Sequence, residues 1–326
     1  MNVTVLGAGA WGTALALLLH RGGHRVTVWG HEPTHLDDIR RTGRNERALP
    51  GLEVPREWII EPDFARAVEG SECAIVAVPS KAIRVIAENL RNYDRVIVSV
   101  TKGIEFETGL TMCGVLQTCA TAAHIAALSG PSLALEVARG IPTAIVAACP
   151  DIAIAQLVQG LFHRPAFRVY TSTDLLGVEL GGALKNVVAI AAGVGDGLGF
   201  GDNSKAALLT RGIAEIRRLG VACGAQAETF AGLSGLGDLT VTCFSQFSRN
   251  RTLGERLGRG EKLTDLLASA EHVSEGYPTA RSALRLARKL NVITPIIDET
   301  HAVLYEGKNV AKALQDLTSR ESKSEG

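Results

Sequence analysis

The sequence predicts a doubly wound parallel α/β sheet over residues 1–174, followed by an all-helical domain over residues 175–326. Three observations carry this. A β-branched run at the start of the chain stops at a glycine-rich turn and continues as a helix. Continuous apolar runs then recur between helical stretches as far as residue 148. After about Thr173 such runs vanish and only helical texture remains.

Residues 2–6 read as the first strand, residues 11–20 as a helix closed by Gly22-Gly23, and residues 25–29 (Arg-Val-Thr-Val-Trp) as the second strand. That is one strand–helix–strand unit of about 30 residues. Residues 73–78, 95–100, 125–129 and 143–148 are further strand candidates, largely apolar runs of the kind that parallel sheets bury on both faces. Residues 175–194, 203–223, 280–290 and 298–306 read as helices, and the domain boundary falls near residues 172–176. The polar tail from Thr318 onward is expected to fray.

Bulk properties restrict the class. With 326 residues, two domains are the natural division, and 46% hydrophobic residues supply a core. There are 34 basic and 34 acidic side chains, so the basic excess of a nucleic-acid binder is missing. Six cysteines without a C-x-x-C pair, most in apolar surroundings, read as buried reduced thiols of a cytoplasmic protein. Met1 runs at once into an apolar strand, unlike a secretory leader. The stretch 187–201 is broken by glycines and Asp196 and is too short for a membrane span. A monomer and a homodimer both remain open.

Gly7-Ala8-Gly9-Ala10-Trp11-Gly12 fits G-x-G-x-x-G between a strand and a helix, the context that a dinucleotide-binding, Rossmann-like turn requires. Gly7 permits the tight turn, Gly9 lets backbone approach a pyrophosphate, and Gly12 allows close helix–strand packing. The helix start then offers N–H groups to phosphate. The second strand ends in Trp29-Gly30-His31-Glu32. Glu32 lies beyond the usual place of a ribose-binding acid, Gly30 and His31 leave room for a 2′-phosphate, and Arg25 and Arg40 are near in sequence. This favours NADPH (NADP) with NADH (NAD) tolerated. His31 also fits a plain solvated loop.

A hydride acceptor needs a partner that handles a proton at its oxygen. Lys185 has only apolar or small close neighbours apart from Asn186. A buried amine suited to general acid–base work and a lysine snorkelling to solvent both fit that stretch. Lys102 follows the strand 95–100, at the sheet edge where ligands bind, and Gly130-Pro131-Ser132 follows the next strand. A surface lysine and a plain turn are the simpler readings. Residues 232–242 and Ser248-Arg249-Asn250-Arg251 form a polar, glycine-broken stretch in the helical part. It reads as a structural loop or as a phosphate site in which Arg249 binds with parallel hydrogen bonds.

Taken in order, these segments resemble the bacterial type of NAD(P)-dependent glycerol-3-phosphate dehydrogenase. The carrying residues are 7–13, Trp29-Gly30-His31, Pro79-Ser80, Thr101-Lys102-Gly103, Gly130-Pro131-Ser132-Leu133-Ala134, Leu184-Lys185-Asn186, 197–203, 235–242, 248–251 and Val273-Ser274-Glu275-Gly276. The resemblance covers nearly the whole chain. It implies a helical second domain like the C-terminal domain of 6-phosphogluconate dehydrogenase. It implies reversible reduction of dihydroxyacetone phosphate to sn-glycerol 3-phosphate, feeding phospholipid synthesis, with Lys185 as proton donor and the nicotinamide lying between the domains. Lys102, Gly130, Ser132, Lys185, Asn186, Asp238, Ser248, Arg249 and Asn250 would meet the substrate. Ala10, Trp11, His31, Lys102, Ala134, Arg249, Val273 and Glu275 would meet the cofactor, with Asp238 and Thr242 orienting the lysine. Ala10 stands where many of that type carry Ser, and Ala48 where an aromatic is common. Two alternatives share parts of this pattern. One is a ketopantoate reductase or β-hydroxyacid dehydrogenase, and the other a non-catalytic NAD(P)-binding sensor.

Overall fold

The computed structural model describes residues 1–268 and 274–319. The chain forms two compact units. Met1–Lys102 and Leu110–Glu179 make a sheet unit, while Gly103–Gly109 joins the helical unit that runs from Leu180 onward.

The sheet unit holds eight strands: β1 (Asn2–Leu6), β2 (Arg25–Trp29), β3 (Ile59–Ile60), β4 (Cys73–Val76), β5 (Val96–Ser99), β6 (His124–Ser129), β7 (Thr143–Ala148) and β8 (Phe167–Ser172). Their order is β3-β2-β1-β4-β5-β6-β7-β8. From β3 to β6 all neighbours are parallel, the Rossmann arrangement with its switch of direction at β1. Alternate residues serve opposite faces. Cys73 and Ile75 of β4 enter one apolar cluster, and Ala74 and Val76 enter the other. Helices cover both faces, which explains why these strands read as continuous apolar runs.

The sheet departs from an all-parallel one at its far edge, where β7 runs antiparallel to β6 and β8 parallel to β7. The link after β6 contains only the five-residue helix Ala134–Ala138. At 1.5 Å per residue that helix spans roughly 7–8 Å, too short to carry the chain back along a six-residue strand of about 20 Å. The next strand therefore starts from the same edge and runs the other way. Strands β3 and β8 were not anticipated. One has two residues, and the other alternates buried and exposed positions as an edge strand does.

The helix Leu175–Gly197 is the spine of the helical unit. It begins twelve residues before the stretch considered above, and it is long and apolar enough to cross a membrane. However, 83% of its most apolar window is buried inside the protein, so the apolarity is that of a core helix. Its glycines are packing positions. A Cβ at Gly193 would strike the Arg251 carbonyl, and one at Gly197 the Glu255 carbonyl. Across the contact, a Cβ at Gly254 would strike the Ile190 carbonyl, and one at Gly258 would stand 2.5 Å from that of Val194. Two four-residue glycine spacings thus let this helix and Arg249–Gly258 touch backbone to backbone. Arg251 and Lys205 both reach Asp196 from this region, at 2.6 and 2.7 Å. The six cysteines are all free, four of them buried. The tail expected to fray from Thr318 onward still holds Thr318 as the last residue of helix Val310–Thr318 and Ser319 as its C-cap, and residues 320–326 lie outside the described residues.

Glu215, from helix Asp202–Ala222, caps a neighbouring helix. It accepts hydrogen bonds from the backbone N–H groups of Ile296 and Ile297 at 3.0 and 2.8 Å. Burial pushes its carboxyl up to about 7 from 4.5. A carboxyl whose pKa rises on folding stabilises the native state at low pH and loses that contribution as pH rises through the folded value. The wild type should therefore lose up to about 3 kcal/mol of unfolding free energy from this group between about pH 4.5 and 7. Urea titrations across that range should show a flatter dependence for Glu215→Gln, and an unchanged slope would contradict this.

Candidate active site

In the sheet unit the glycine turn has the geometry expected of a phosphate cradle. Gly7 donates its N–H to the Trp29 carbonyl at 2.8 Å, and its φ of +128° is one that side chains disfavour. A Cβ at Gly7 would stand 2.5 Å from the Ala77 carbonyl oxygen, and one at Gly12 would strike the Gly7 carbonyl. A Cβ at Gly9 would meet nothing within 4 Å. The protein's own packing thus demands Gly7 and Gly12, whereas it places no such demand on Gly9. Helix Ala10–Arg21 follows with Gly9 as N-cap and no side-chain cap, so its first N–H groups are available to an anion. Ala10 and Trp11 are half-buried on that first turn.

Asn45, which sequence reasoning passed over, braces this turn. It is buried, donates to the Ala8 carbonyl at 2.9 Å and to Thr13 Oγ1 at 2.8 Å, and meets His35 Nε2 at 2.8 Å. No local signal marks it, because its partners lie 32 and 37 residues away.

At the tip of β2, His31 is exposed and lies 3.3 Å from Glu32. Glu32 is held by Arg47 at 2.5 Å, which draws its carboxyl below the usual range. Arg47 is a second residue that the sequence reading missed. Arg25 begins β2, at the end of the strand opposite the glycine turn. Arg40 is held by Asp37 and the Ile60 carbonyl. Arg25 therefore does not adjoin the cofactor edge, although it is close in sequence.

The C-terminal ends of β5 and β6 bring Lys102, Gly130 and Ser132 together. The Gly130 carbonyl accepts from Lys102 Nζ at 3.1 Å and from Ser132 Oγ at 2.9 Å. Gly130 has φ +146°, and a Cβ there would stand 3.1 Å from Ile145 Cα. Ala134 starts the short helix just beyond.

In the helical unit, Lys185 is 6% exposed, so the buried reading holds and the snorkelling one does not. Its Nζ lies 2.9 Å from Asp238 Oδ1 and donates to Thr242 Oγ1 at 2.5 Å. Thr242 in turn donates to the Asp238 backbone carbonyl at 2.6 Å, which orients its oxygen toward the amine. Asp238 opens the helix Asp238–Phe244, directly after one π-type turn closed by the Gly237 N–H on the Gly232 carbonyl at 3.1 Å. The stretch expected as a loop is therefore helical. A Cβ at Gly181 would stand 2.8 Å from the Ser234 carbonyl oxygen, so small residues bring this turn against the lysine helix.

Asn186 and Asn250 are both buried. Asn250 donates to Asn186 Oδ1 at 2.9 Å and accepts from the Gly276 N–H at 2.8 Å, tying three segments together. Ser248 is buried and caps helix Arg249–Gly258 by accepting from the Arg251 N–H at 3.2 Å. Arg249 is the exposed first residue of that helix, and its guanidinium makes no hydrogen bond or ion pair among the described residues. Glu275 precedes helix Gly276–Lys289, while Val273 lies outside the described residues.

Comparison with known proteins agrees along the whole chain. The family model for the NAD-dependent glycerol-3-phosphate dehydrogenase N-terminus matches residues 2–155, and that for the C-terminus matches residues 174–315. A glycerol-3-phosphate dehydrogenase [NAD(P)+] of Anaeromyxobacter dehalogenans is 48% identical over 100% of both chains. One from Fusobacterium nucleatum is 44% identical over 100% of this chain and 98% of its own. The crystal structure of glycerol-3-phosphate dehydrogenase from Coxiella burnetii superposes with a TM-score of 0.94 at 36% identity, covering 98% of this chain and 99% of that one.

Without Asn45 the Ala8 carbonyl and Thr13 hydroxyl lose a shared donor beneath the glycine turn. Asn45→Ala is expected to weaken NADPH binding roughly tenfold, since such a bond is worth about 1 kcal/mol or more. Fluorescence titration measures this, and an unchanged dissociation constant would remove Asn45 from the site.

Proposed function

Because the chain belongs to the NAD-dependent glycerol-3-phosphate dehydrogenase family, we propose that it interconverts dihydroxyacetone phosphate and sn-glycerol 3-phosphate in the cytoplasm, using NADPH or NADH. The observation that carries the reading is the buried Lys185 amine, fixed by Asp238 and Thr242.

The open space at Gly9 and the uncapped helix start fit a dinucleotide pyrophosphate. Gly7, Gly9, Ala10, Trp11 and Gly12 would hold it, with His31 and Ala134 beside it. Held there, a nicotinamide dinucleotide would supply the hydride that the ketone's carbonyl carbon takes up. Negative charge then develops on the carbonyl oxygen, and a cation set in place beforehand stabilises it. Lys185 gives a proton to that oxygen, completing the alcohol. In oxidation the same amine takes the proton back. Asp238 compensates the charge of the buried ammonium. Thr242 restricts the direction in which Nζ points.

Arg249 supports a phosphorylated substrate. A guanidinium on the first residue of a helix combines parallel N–H donors with the positive end of the helix dipole. Lys102 and Ser132, gathered by the Gly130 carbonyl, would contact the other polar groups of the ketone. Asn186, Ser248 and Asn250 act differently. Their side chains are largely engaged in holding the Arg249 helix to the Lys185 helix, so they would shape the pocket and only secondarily touch its contents. A ketoacid reductase needs a carboxylate site instead, and a sensor needs no buried amine.

Lys185→Ala is expected to lower turnover by roughly 100- to 10,000-fold, the usual contribution of a general acid. NADPH should still bind with unaltered affinity in a fluorescence titration. Retained turnover would refute the assignment. Arg249→Ala should raise KM for dihydroxyacetone phosphate by about tenfold or more, the scale of a charged hydrogen bond, with a smaller change in kcat. Steady-state assays separate the two constants, and an unchanged KM would refute the phosphate role.

A further inference from the structure

Within the sheet unit, the tip of β2 packs directly against the glycine turn. Gly7 donates its N–H to the Trp29 carbonyl at 2.8 Å, and a Cβ at Gly30 would stand 3.3 Å from that of Ala8. Asn45 donates to the Ala8 carbonyl, and its own carbonyl accepts from the N–H groups of Ala48 and Leu49 at 3.1 and 2.8 Å. Arg47 lies inside the turn so closed. The residue that braces the glycine turn therefore also carries Arg47 to the strand tip. There the guanidinium meets Glu32 through two nitrogens, Nη1 on Oε2 at 2.5 Å and Nη2 on Oε1 at 3.3 Å. Glu32 is the N-cap residue of helix Pro33–Thr42, yet its side chain caps none of that helix's N–H groups. Its partners at the tip are Arg47 and, at 3.3 Å, His31 Nε2.

We propose that Arg47 is a specificity-determining residue that receives the 2′-phosphate of NADPH, and that Glu32 is the internal anion this phosphate displaces. The proposal rests on the reading of the glycine turn as the dinucleotide site. In a Rossmann arrangement the adenosine ribose lies at the end of the second strand, where a nearby arginine accommodates the 2′-phosphate. A guanidinium takes a phosphate through the same pair of parallel N–H donors that it offers a carboxylate, so one can replace the other without moving the arginine. The side chains of Arg47 and Glu32 are 54% and 38% exposed, and an ion pair so open to water is weak enough to exchange. With NADH bound there is no phosphate to compete, and Glu32 stays on Arg47. The pair thus admits both cofactors, and each member pulls the affinity for NADPH in the opposite direction.

The test measures dissociation constants of NADPH and NADH by nicotinamide fluorescence, on the full chain without substrate. Arg47→Gln should weaken NADPH by about tenfold or more, the scale of a charged hydrogen bond, and change NADH by no more than a few-fold. Glu32→Gln should tighten NADPH by roughly two- to fivefold, the worth of an exposed ion pair, and again leave NADH nearly unchanged. Should Arg47→Gln fold poorly, Glu32→Gln carries the test alone, because its expected effect is a gain that a damaged fold does not produce. An Arg47→Gln protein that binds NADPH as the wild type does, or that loses NADH and NADPH equally, would overturn the phosphate role. A Glu32→Gln protein whose NADPH affinity is unchanged or lower would overturn the displacement. A wild-type chain that binds neither dinucleotide would instead refute the reading of the glycine turn, and the proposal with it.

Discussion

An ammonium taken out of water beside a carboxylate is the interaction on which the proposed site depends. Lys185 and Asp238 are 6% and 2% exposed, and their charges lie 2.9 Å apart. Burying either charge alone would cost several kcal/mol, and removing one partner of such a pair typically costs about 3–5 kcal/mol because the other is stranded. A pair like this is poor evidence for stability as such, since apolar residues of similar size would serve a core as well. Its value lies in holding an amine at a defined point in a region of low polarity. The surrounding structure serves that end. Thr242 is oriented by a backbone carbonyl, and Gly181 lets the Asp238 turn approach the lysine helix.

Glycine has opposite uses in the two units. In the sheet unit one glycine, Gly9, leaves space at a helix start, while Gly7 and Gly12 satisfy the packing that holds the turn. In the helical unit Gly193, Gly197, Gly254 and Gly258 remove side chains so that two helices meet through their backbones. That close contact sets the start of helix Arg249–Gly258, and so the Arg249 guanidinium, relative to Lys185. The Asn186–Asn250 bond fixes the same relation from the side. The proposed phosphate and proton sites therefore depend on one helix–helix contact.

Much of this was legible in the sequence. The glycine turn could be read because its roles are local: strand, turn and helix are consecutive. Strands β4 and β5 could be read because both faces are covered. Lys185 stood out as a charge among apolar neighbours, although local sequence alone left its burial open. What escaped depends on distant partners. Asn45 supports a turn 32 to 37 residues earlier, Arg47 pairs with Glu32 across 15 residues, and Glu215 caps a helix 81 residues on. The reversal of β7 follows from the length of a crossover and leaves no trace in the strand's own composition. Ser248 illustrates the converse, since a serine before a helix is first a cap and only then a candidate ligand.

The central claim is that Lys185 delivers a proton and does more than place a positive charge near the ketone oxygen. Chemical rescue separates the two most directly. The rate of NADPH oxidation by Lys185→Ala with saturating dihydroxyacetone phosphate would be followed with added methylammonium or tetramethylammonium. Both are small cations, but only the first carries a transferable proton. Recovery that rises with methylammonium and is absent with tetramethylammonium is the predicted result. Equal recovery with both would mean that charge alone suffices, and would contradict the proton-donor role.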